Sequence, residues 1–168
     1  MFSRGQYLTA AFMAYSHGKN DGQMPIGVIT MALVIFYNDV TLWDRLSLFS
    51  AELWWVIVVS ALAISTGTAL GGRQVIKTMG MKMANLRPVH GFAATASAAT
   101  VIEIASNYGI PVSTTHCITA AVAGSGAVSR FSAVHWGVAR SIVTAWILTF
   151  PVCGVLGYLF ALLLRAIF

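Results

Sequence analysis

The sequence predicts an all-α membrane protein, a polytopic helix bundle whose helices are interrupted by polar breaks. Hydrophobic residues make up 58% of the 168 residues and charged residues 9%, with a mean hydropathy of +0.79. Soluble domains carry roughly 25% charged residues. Polar breaks at residues 17–22 and 109–116 interrupt apolar runs. In lipid such breaks persist only where protein or a wet cavity satisfies the backbone, so both are candidate binding sites. We expect one membrane domain over residues 1–168, in the plasma (inner) membrane.

The first predicted span is a broken helix. Residues 7–15 and 24–36 are apolar and flank the polar stretch 17–22. Neither piece alone crosses a hydrocarbon core of roughly 30 Å, which needs about 20 residues. We therefore expect two half-helices in one span, with Asn20 or Asp21 capping the second. The alternative is an extramembrane loop that follows a discarded leader.

The charges of the next two connections differ in sign and predict the orientation. Three acidic residues flank the first connection: Asp39, Asp44 and Glu52. Residues 53–70 then form a span, and four basic residues lie within a loop at about 72–90: Arg73, Lys77, Lys82 and Arg87. Because cytoplasmic loops carry an excess of Lys and Arg, we predict that this loop is cytoplasmic, the N-terminus inside and the C-terminus outside. The net charge of +5 therefore indicates orientation and not a nucleic-acid partner.

The C-terminal half of the sequence contains three apolar runs. Residues 92–108 and 112–128 cross the bilayer as two full spans, or dip in and return as a re-entrant hairpin over 91–128. Pro88 marks where the first of these helices can begin. The final run, residues 134–164, is long for one span, so we expect a tilt or a kink at Pro151.

Two helix N-termini are predicted to meet near the membrane midplane, one after Asn20 and one after Pro111. Each carries unpaired N–H groups and about half a positive charge, which together favour an anion. Ser113 is positioned to cap the second helix. Neutral donors complete the predicted anion site: Asn20, Ser113, Thr114 and Thr115.

Three further side chains are candidates for binding a coupling ion. Asp21 would repel an anion unless a cation or proton accompanied it, so coupled symport follows. Glu103 lies inside an apolar run, where an ionisable group must face protein or water. His116 is a proton relay or an ordinary helix residue. Lys19 attracts the anion or extends to the surface. The four histidines share no metal-site spacing, so no metal site is expected.

Several stretches, in order, resemble signature motifs of the inorganic phosphate transporter (PiT) family. Residues 17–23 read His-Gly-Lys-Asn-Asp-Gly-Gln, and residues 109–116 read Gly-Ile-Pro-Val-Ser-Thr-Thr-His. Further matching stretches are residues 77–80, 86–92, 132–138 and 145–149.

The resemblance implies a secondary transporter that moves phosphate with protons or sodium; some bacterial members are thought to carry a neutral metal–phosphate complex. Such proteins are built from two inverted repeats that share the site, and this chain resembles the second repeat only. By the resemblance, Asn20 and Asp21 belong to one signature, and Ser113, Thr114 and Thr115 to the phosphate-contacting hairpin tip. No cofactor is implied. The partners would be phosphate, the bilayer, and a complementary first-repeat half or a second copy.

The chain departs from the family pattern at three places. Lys19 stands where a small residue is common, and Met24-Pro25 replaces a Lys-Thr or similar pair. The family's acidic residue near Thr95 is absent. Glu103, about two turns further along the same run, is a candidate replacement.

One repeat is too short for alternating access, which needs two. We therefore expect that the chain is half of a two-repeat transporter and does not transport phosphate alone. The alternatives are an inactive or assembly-only fragment and, more remotely, an intramembrane serine hydrolase with Ser113 and His116. No third orienting residue supports the hydrolase, so we expect no enzyme.

Overall fold

The computed structural model describes residues 2–48, 52–84 and 87–167. Its five α-helices are α1 (Phe2–Tyr37), α2 (Trp54–Lys77), α3 (Pro88–Asn107), α4 (Thr114–Ser129) and α5 (Trp136–Ile167). The described residues contain no β-strand, only an isolated bridge between Ala84 and Val134. The all-α prediction is therefore confirmed. Parts of three sequence predictions lie outside the described residues: the ends of the domain 1–168, positions 85–86 of the predicted loop, and the first residue of the stretch 86–92.

The predicted break in the first span is wrong, because α1 is one helix of 36 residues that runs through positions 17–22. Neither Asn20 nor Asp21 caps a second half-helix, and the loop alternative fails for the same reason. Polar side chains of this stretch instead bond to distant elements, Lys19 to α3 and Asn20 to the segment before α4. The backbone therefore keeps its helical hydrogen bonds, and the polar side chains find their partners on other elements.

Residues 72–90, predicted as a basic loop and here called the basic segment, are largely helical. Helix α2 extends to Lys77 and continues as a π-helical turn, Thr78–Lys82. Helix α3 then begins at Pro88, as expected for a residue that lacks an N–H. Among the described residues, two helices are long and apolar enough to cross a membrane: Trp54–Arg73, with mean hydropathy 1.6, and Trp136–Ile167, with 2.3.

Helix α3 lies against α1 and α4 and forms the centre of the packed region. Its buried face consists mainly of small residues, Ala94, Ala98 and Ala99, followed by Ile102. Small side chains let helix backbones approach closely in lipid. Side-chain pairs show that α1 and α3 run parallel, since Thr9 bonds to Thr95 and Lys19 to Glu103.

Helix α5 differs from the others because it has no buried residue along its whole described length. Its start packs through Ala139 and Ile142 against a small core of Met83, Ala84, Ala94 and Val122. Pro151 lies inside this single continuous helix. The rest of α5 presents an apolar surface of the kind that lipid or another membrane helix covers.

Candidate functional site

The centre of the site is the turn between α3 and α4, residues 108–113, which we call the hairpin tip. Gly109 has φ +67°, a left-handed conformation that a residue with a Cβ rarely adopts, and the Ile110 N–H donates to the Ala105 carbonyl at 2.9 Å. At the start of α4, Ser113 Oγ accepts the His116 backbone N–H at 3.3 Å. The predicted cap at Ser113 is confirmed, and the first turn of α4 carries Thr114 and Thr115.

Asn20 joins α1 to the hairpin tip. Its Nδ2 donates to the Val112 carbonyl at 2.7 Å, and its Oδ1 accepts the Val112 N–H at 3.5 Å and the Ser106 hydroxyl at 3.4 Å. The side chain is 7% exposed. Because its amide is largely occupied by these protein groups, Asn20 positions the tip.

Asp21 lies one residue further and has a different environment. Its Oδ1 accepts from Asn20 at 3.1 Å, and its Oδ2 lies 2.8 Å from His17 Nε2. Both the His17 and Asp21 side chains are about a third exposed, at 36% and 37%. His17 was not among the predicted site residues, although its spacing of four from Asp21 places both on one helix face.

A groove of about 840 Å³ connects these groups. It lies among α1, α2, α3 and α4, and its polar lining near the hairpin tip comprises His17, Asp21, Thr114 and Thr115. Gln6, Gly91 and Arg87 line its other part, near the starts of α1 and α3. The groove therefore runs from the hairpin tip toward the basic segment.

Glu103 is engaged by a basic residue. Lys19 Nζ lies 2.7 Å from Glu103 Oε1 and 2.5 Å from Asn107 Oδ1. Sequence reasoning placed Lys19 either near the anion or at the surface and missed this pair, because 84 residues separate its members.

His116 points away from the groove. Its ring packs on Trp146 of α5 at a centroid distance of 3.7 Å, whereas the α4 residues that line the groove are Thr114, Thr115, Ile118 and Val122. The Ser113 hydroxyl is bonded to the backbone of His116. Thus the structure shows no bond between the Ser113 hydroxyl and the His116 imidazole of the kind that a hydrolase would use.

The structure brings Asn20, Asp21, Thr114 and Thr115 together around the hairpin tip and leaves Ser113 as a cap. Within residues 2–48, 52–84 and 87–167, no three His, Cys, Asp or Glu side chains form a cluster that could hold a metal ion. The arrangement offers hydroxyls, helix N–H groups and one carboxylate to a small polar solute.

Comparisons with known proteins point to one family. The phosphate transporter family model matches residues 1–157. The chain is 38% identical over 167 residues to a probable low-affinity inorganic phosphate transporter of Bacillus subtilis, covering 99% of this chain and 48% of the relative. For the Mycobacterium leprae protein of the same description the identity is 40% over 156 residues, covering 93% and 36%.

A sodium-dependent phosphate transporter 2 of Bos taurus is 36% identical over 149 residues, covering 89% of this chain and 22% of the relative. No solved structure matches the chain. The chain therefore spans about half or less of the length of these relatives.

Proposed function

The chain belongs to the phosphate transporter family, and on that premise we propose that it forms half of an ion-coupled inorganic phosphate transporter. It is a membrane protein of a transporter family and not an enzyme. The observation that carries the proposal is the start of α4 next to the hairpin tip, where Thr114 and Thr115 line the groove with Asp21. Hydroxyls at a helix N-terminus bind an oxyanion without a fixed counter-charge.

Phosphate contacts are proposed for Ser113, Thr114, Thr115 and Asn20. Thr115 is exposed in the groove and Thr114 is 6% exposed, so Thr115 is the accessible hydroxyl. Asn20 would act mainly by holding Val112 in place. The hairpin is proposed to be re-entrant, because the 16 residues of α4 span only about 24 Å at 1.5 Å per residue.

Asp21 is the best-supported coupling residue. Its carboxylate lines the groove, where a proton or sodium ion would reduce its repulsion of phosphate. Glu103 and His116 stay coupling candidates, although the first is paired with Lys19 and the second packs on Trp146. The coupling proposal is tested by comparing D21N, E103Q and H116Q for loss of pH-dependent or sodium-dependent uptake; a metal–phosphate cargo would instead make uptake depend on Mg²⁺.

The relatives' greater length supports a missing complementary half or a second copy as partner. We expect no phosphate uptake by liposomes that contain the purified chain alone. Uptake should appear when the chain is co-expressed with the part of the Bacillus subtilis relative that it does not cover. Saturable uptake by the chain alone would contradict the half-transporter proposal, whereas no uptake with the added half would favour an inactive or assembly-only fragment.

Substrate binding is tested with matched threonine variants. T115V removes a groove hydroxyl, and T144V removes a hydroxyl on α5 that bonds only to its own helix at the Arg140 carbonyl. In the two-half complex, T115V should raise the phosphate concentration for half-maximal uptake about tenfold, as expected for loss of a charge-assisted hydrogen bond. T144V should behave as wild type. Equal effects of the two variants would remove the hairpin tip from the binding site.

Orientation is part of the same proposal: N-terminus and basic segment inside, C-terminus outside. The groove would then open toward the cytoplasm near Arg87. A cysteine introduced for Lys82 should react with a membrane-impermeant thiol reagent only from the cytoplasmic side, in a background lacking Cys117 and Cys153.

A further inference from the structure

The most informative feature outside the groove is a set of polar side chains between α1 and α3. Ser16 and Lys19 come from α1, and Glu103 and Asn107 from α3. We infer that these residues form a monovalent-cation site, which in this chain is filled by the chain's own cation, the Lys19 ammonium.

The first step is the geometry around the ammonium. Lys19 Nζ donates to Glu103 Oε1 at 2.7 Å and to Asn107 Oδ1 at 2.5 Å. An ammonium has three donors, so one remains beyond these two bonds. Its two partners are a carboxylate oxygen and an amide oxygen, the ligand types that hard cations prefer in proteins.

The second step is that two more oxygens are available at the same place. Ser16 is fully buried, and its hydroxyl lies next to the Glu103 carboxylate. Ser16 Oγ and Glu103 Oε2 are both buried without a hydrogen-bond partner within the described part of the chain. Two oxygens, Glu103 Oε1 and Asn107 Oδ1, therefore contact the ammonium, and two unpaired oxygens lie on the same residues or beside them. A sodium ion in place of the ammonium would have these four oxygens available.

The third step is electrostatic. The Lys19 and Glu103 side chains are only 28% and 21% exposed, in helices of a membrane protein. A lone carboxylate there would be costly, so removal of the ammonium leaves a negative pocket that needs another cation. A sodium ion fits both the charge and the oxygen ligands.

The consequence rests on the proposed function: a cation carried on a four-carbon stem is not released with phosphate. Lys19 therefore neutralises Glu103 permanently, and Asp21 is the carboxylate left for an exchangeable ion. This removes Glu103 from the residues proposed to bind the coupling ion, whichever ion is transported.

The test measures the melting temperature of the purified chain in detergent, without phosphate. NaCl is compared with equal choline chloride at about pH 8, where an uncompensated buried carboxyl is less readily protonated than at lower pH. Every protein compared, controls included, carries D21N, which removes the proposed coupling carboxylate of the groove. In D21N/K19M, NaCl should raise the melting temperature saturably by several degrees, as binding to the folded state requires. D21N with Lys19 intact should show no sodium-specific rise, and D21N/K19M/E103Q should lose it.

Controls separate the site from general effects of charge. K82M removes an exposed basic residue of the π-helical turn and should show no sodium effect. K19C, in a background without Cys117 and Cys153, should show the sodium effect until an aminoethyl thiosulfonate reagent restores a tethered ammonium. K19Q is the second variant if K19M does not fold.

A sodium-specific rise in D21N with Lys19 intact would overturn the inference, as would its absence in folded D21N/K19M. Failure of both K19M and K19Q to fold at any NaCl concentration would also overturn it, because sodium should replace the ammonium. The proposed function fails independently, through loss of phosphate uptake in the two-half complex.

Discussion

Helices α3 and α5 are both apolar, but they obtain their stability in different ways. Helix α3 buries six residues against its neighbours, and several of its polar side chains, among them Thr95 and Glu103, bond to partners on α1. Helix α5 buries none and has a mean hydropathy of 2.3. The comparison teaches that a polar side chain between packed helices can bond to another helix, whereas on α5 Thr144 and Thr149 bond to carbonyls of their own helix, because a lipid-facing polar group has no other partner.

The largest expected loss of stability is among the packed helices α1, α3 and α4. N20L removes the hydrogen bonds to both backbone groups of Val112, leaving a partly buried N–H and C=O unpaired. Each orphaned group costs about 1–3 kcal/mol, so the free energy of unfolding in detergent should fall by at least that amount. Q23L, an exposed change of similar size on α1, should have little effect. Equal losses would show that the Asn20 bridge does not stabilise the fold.

A pair of glycines sharpens the contrast between packed and open helices. A Cβ at Gly126 would lie 3.0 Å from Ala84 Cβ and 3.2 Å from Val134 Cγ2, whereas a Cβ at Gly154 on α5 would meet nothing within 4 Å. Overpacking costs about 1–3 kcal/mol and helix propensity returns up to about 1. G126A should therefore lower the unfolding free energy and G154A should leave it unchanged or raise it. Stabilisation by G126A would contradict the close approach.

A smaller effect is expected where the packed helices contact α5. His116 and Trp146 connect α4 to α5 at a ring distance of 3.7 Å. W146L keeps an apolar side chain but loses the ring pair, which is worth about 0.5–1.5 kcal/mol. Denaturation in detergent should show that loss, and W54L on α2 serves as the control. If the two variants agree, α5 is not attached through this pair.

The smallest effect lies outside both regions. Hydrogen bonds from the Thr41 side chain and backbone N–H lower the pKa of Asp39 below its ordinary value of 3.8. A lowered carboxyl pKa stabilises the fold above the ordinary pKa, and this contribution is lost as the pH falls through the lowered value. T41V should move the pKa of Asp39 up toward 3.8 in a carboxyl NMR titration, and T66V should not.

Local patterns predicted well where the determinant is local. Composition indicated the helical membrane class, Pro88 marked the start of α3, and Ser113 was recognised as the cap of α4. The unbroken α1 could not be predicted, because Asn20 and Lys19 find partners 84 to 92 residues away. A polar stretch whose partners are distant in sequence resembles a helix break when only its neighbouring residues are considered. The same limit hid the ion pair between Lys19 and Glu103.

The attachment of Asn20 to both backbone groups of Val112 has a mechanical consequence. The hairpin tip is attached to both α1 and α3, because a side chain of α1 bonds to its backbone and its chain is continuous with α3. A tilt of α1 relative to α2 would carry Thr114 and Thr115 along and leave their mutual spacing intact. A solute held there would travel with the pair of parallel helices, and the groove wall formed by α2 would be the surface that slides past it.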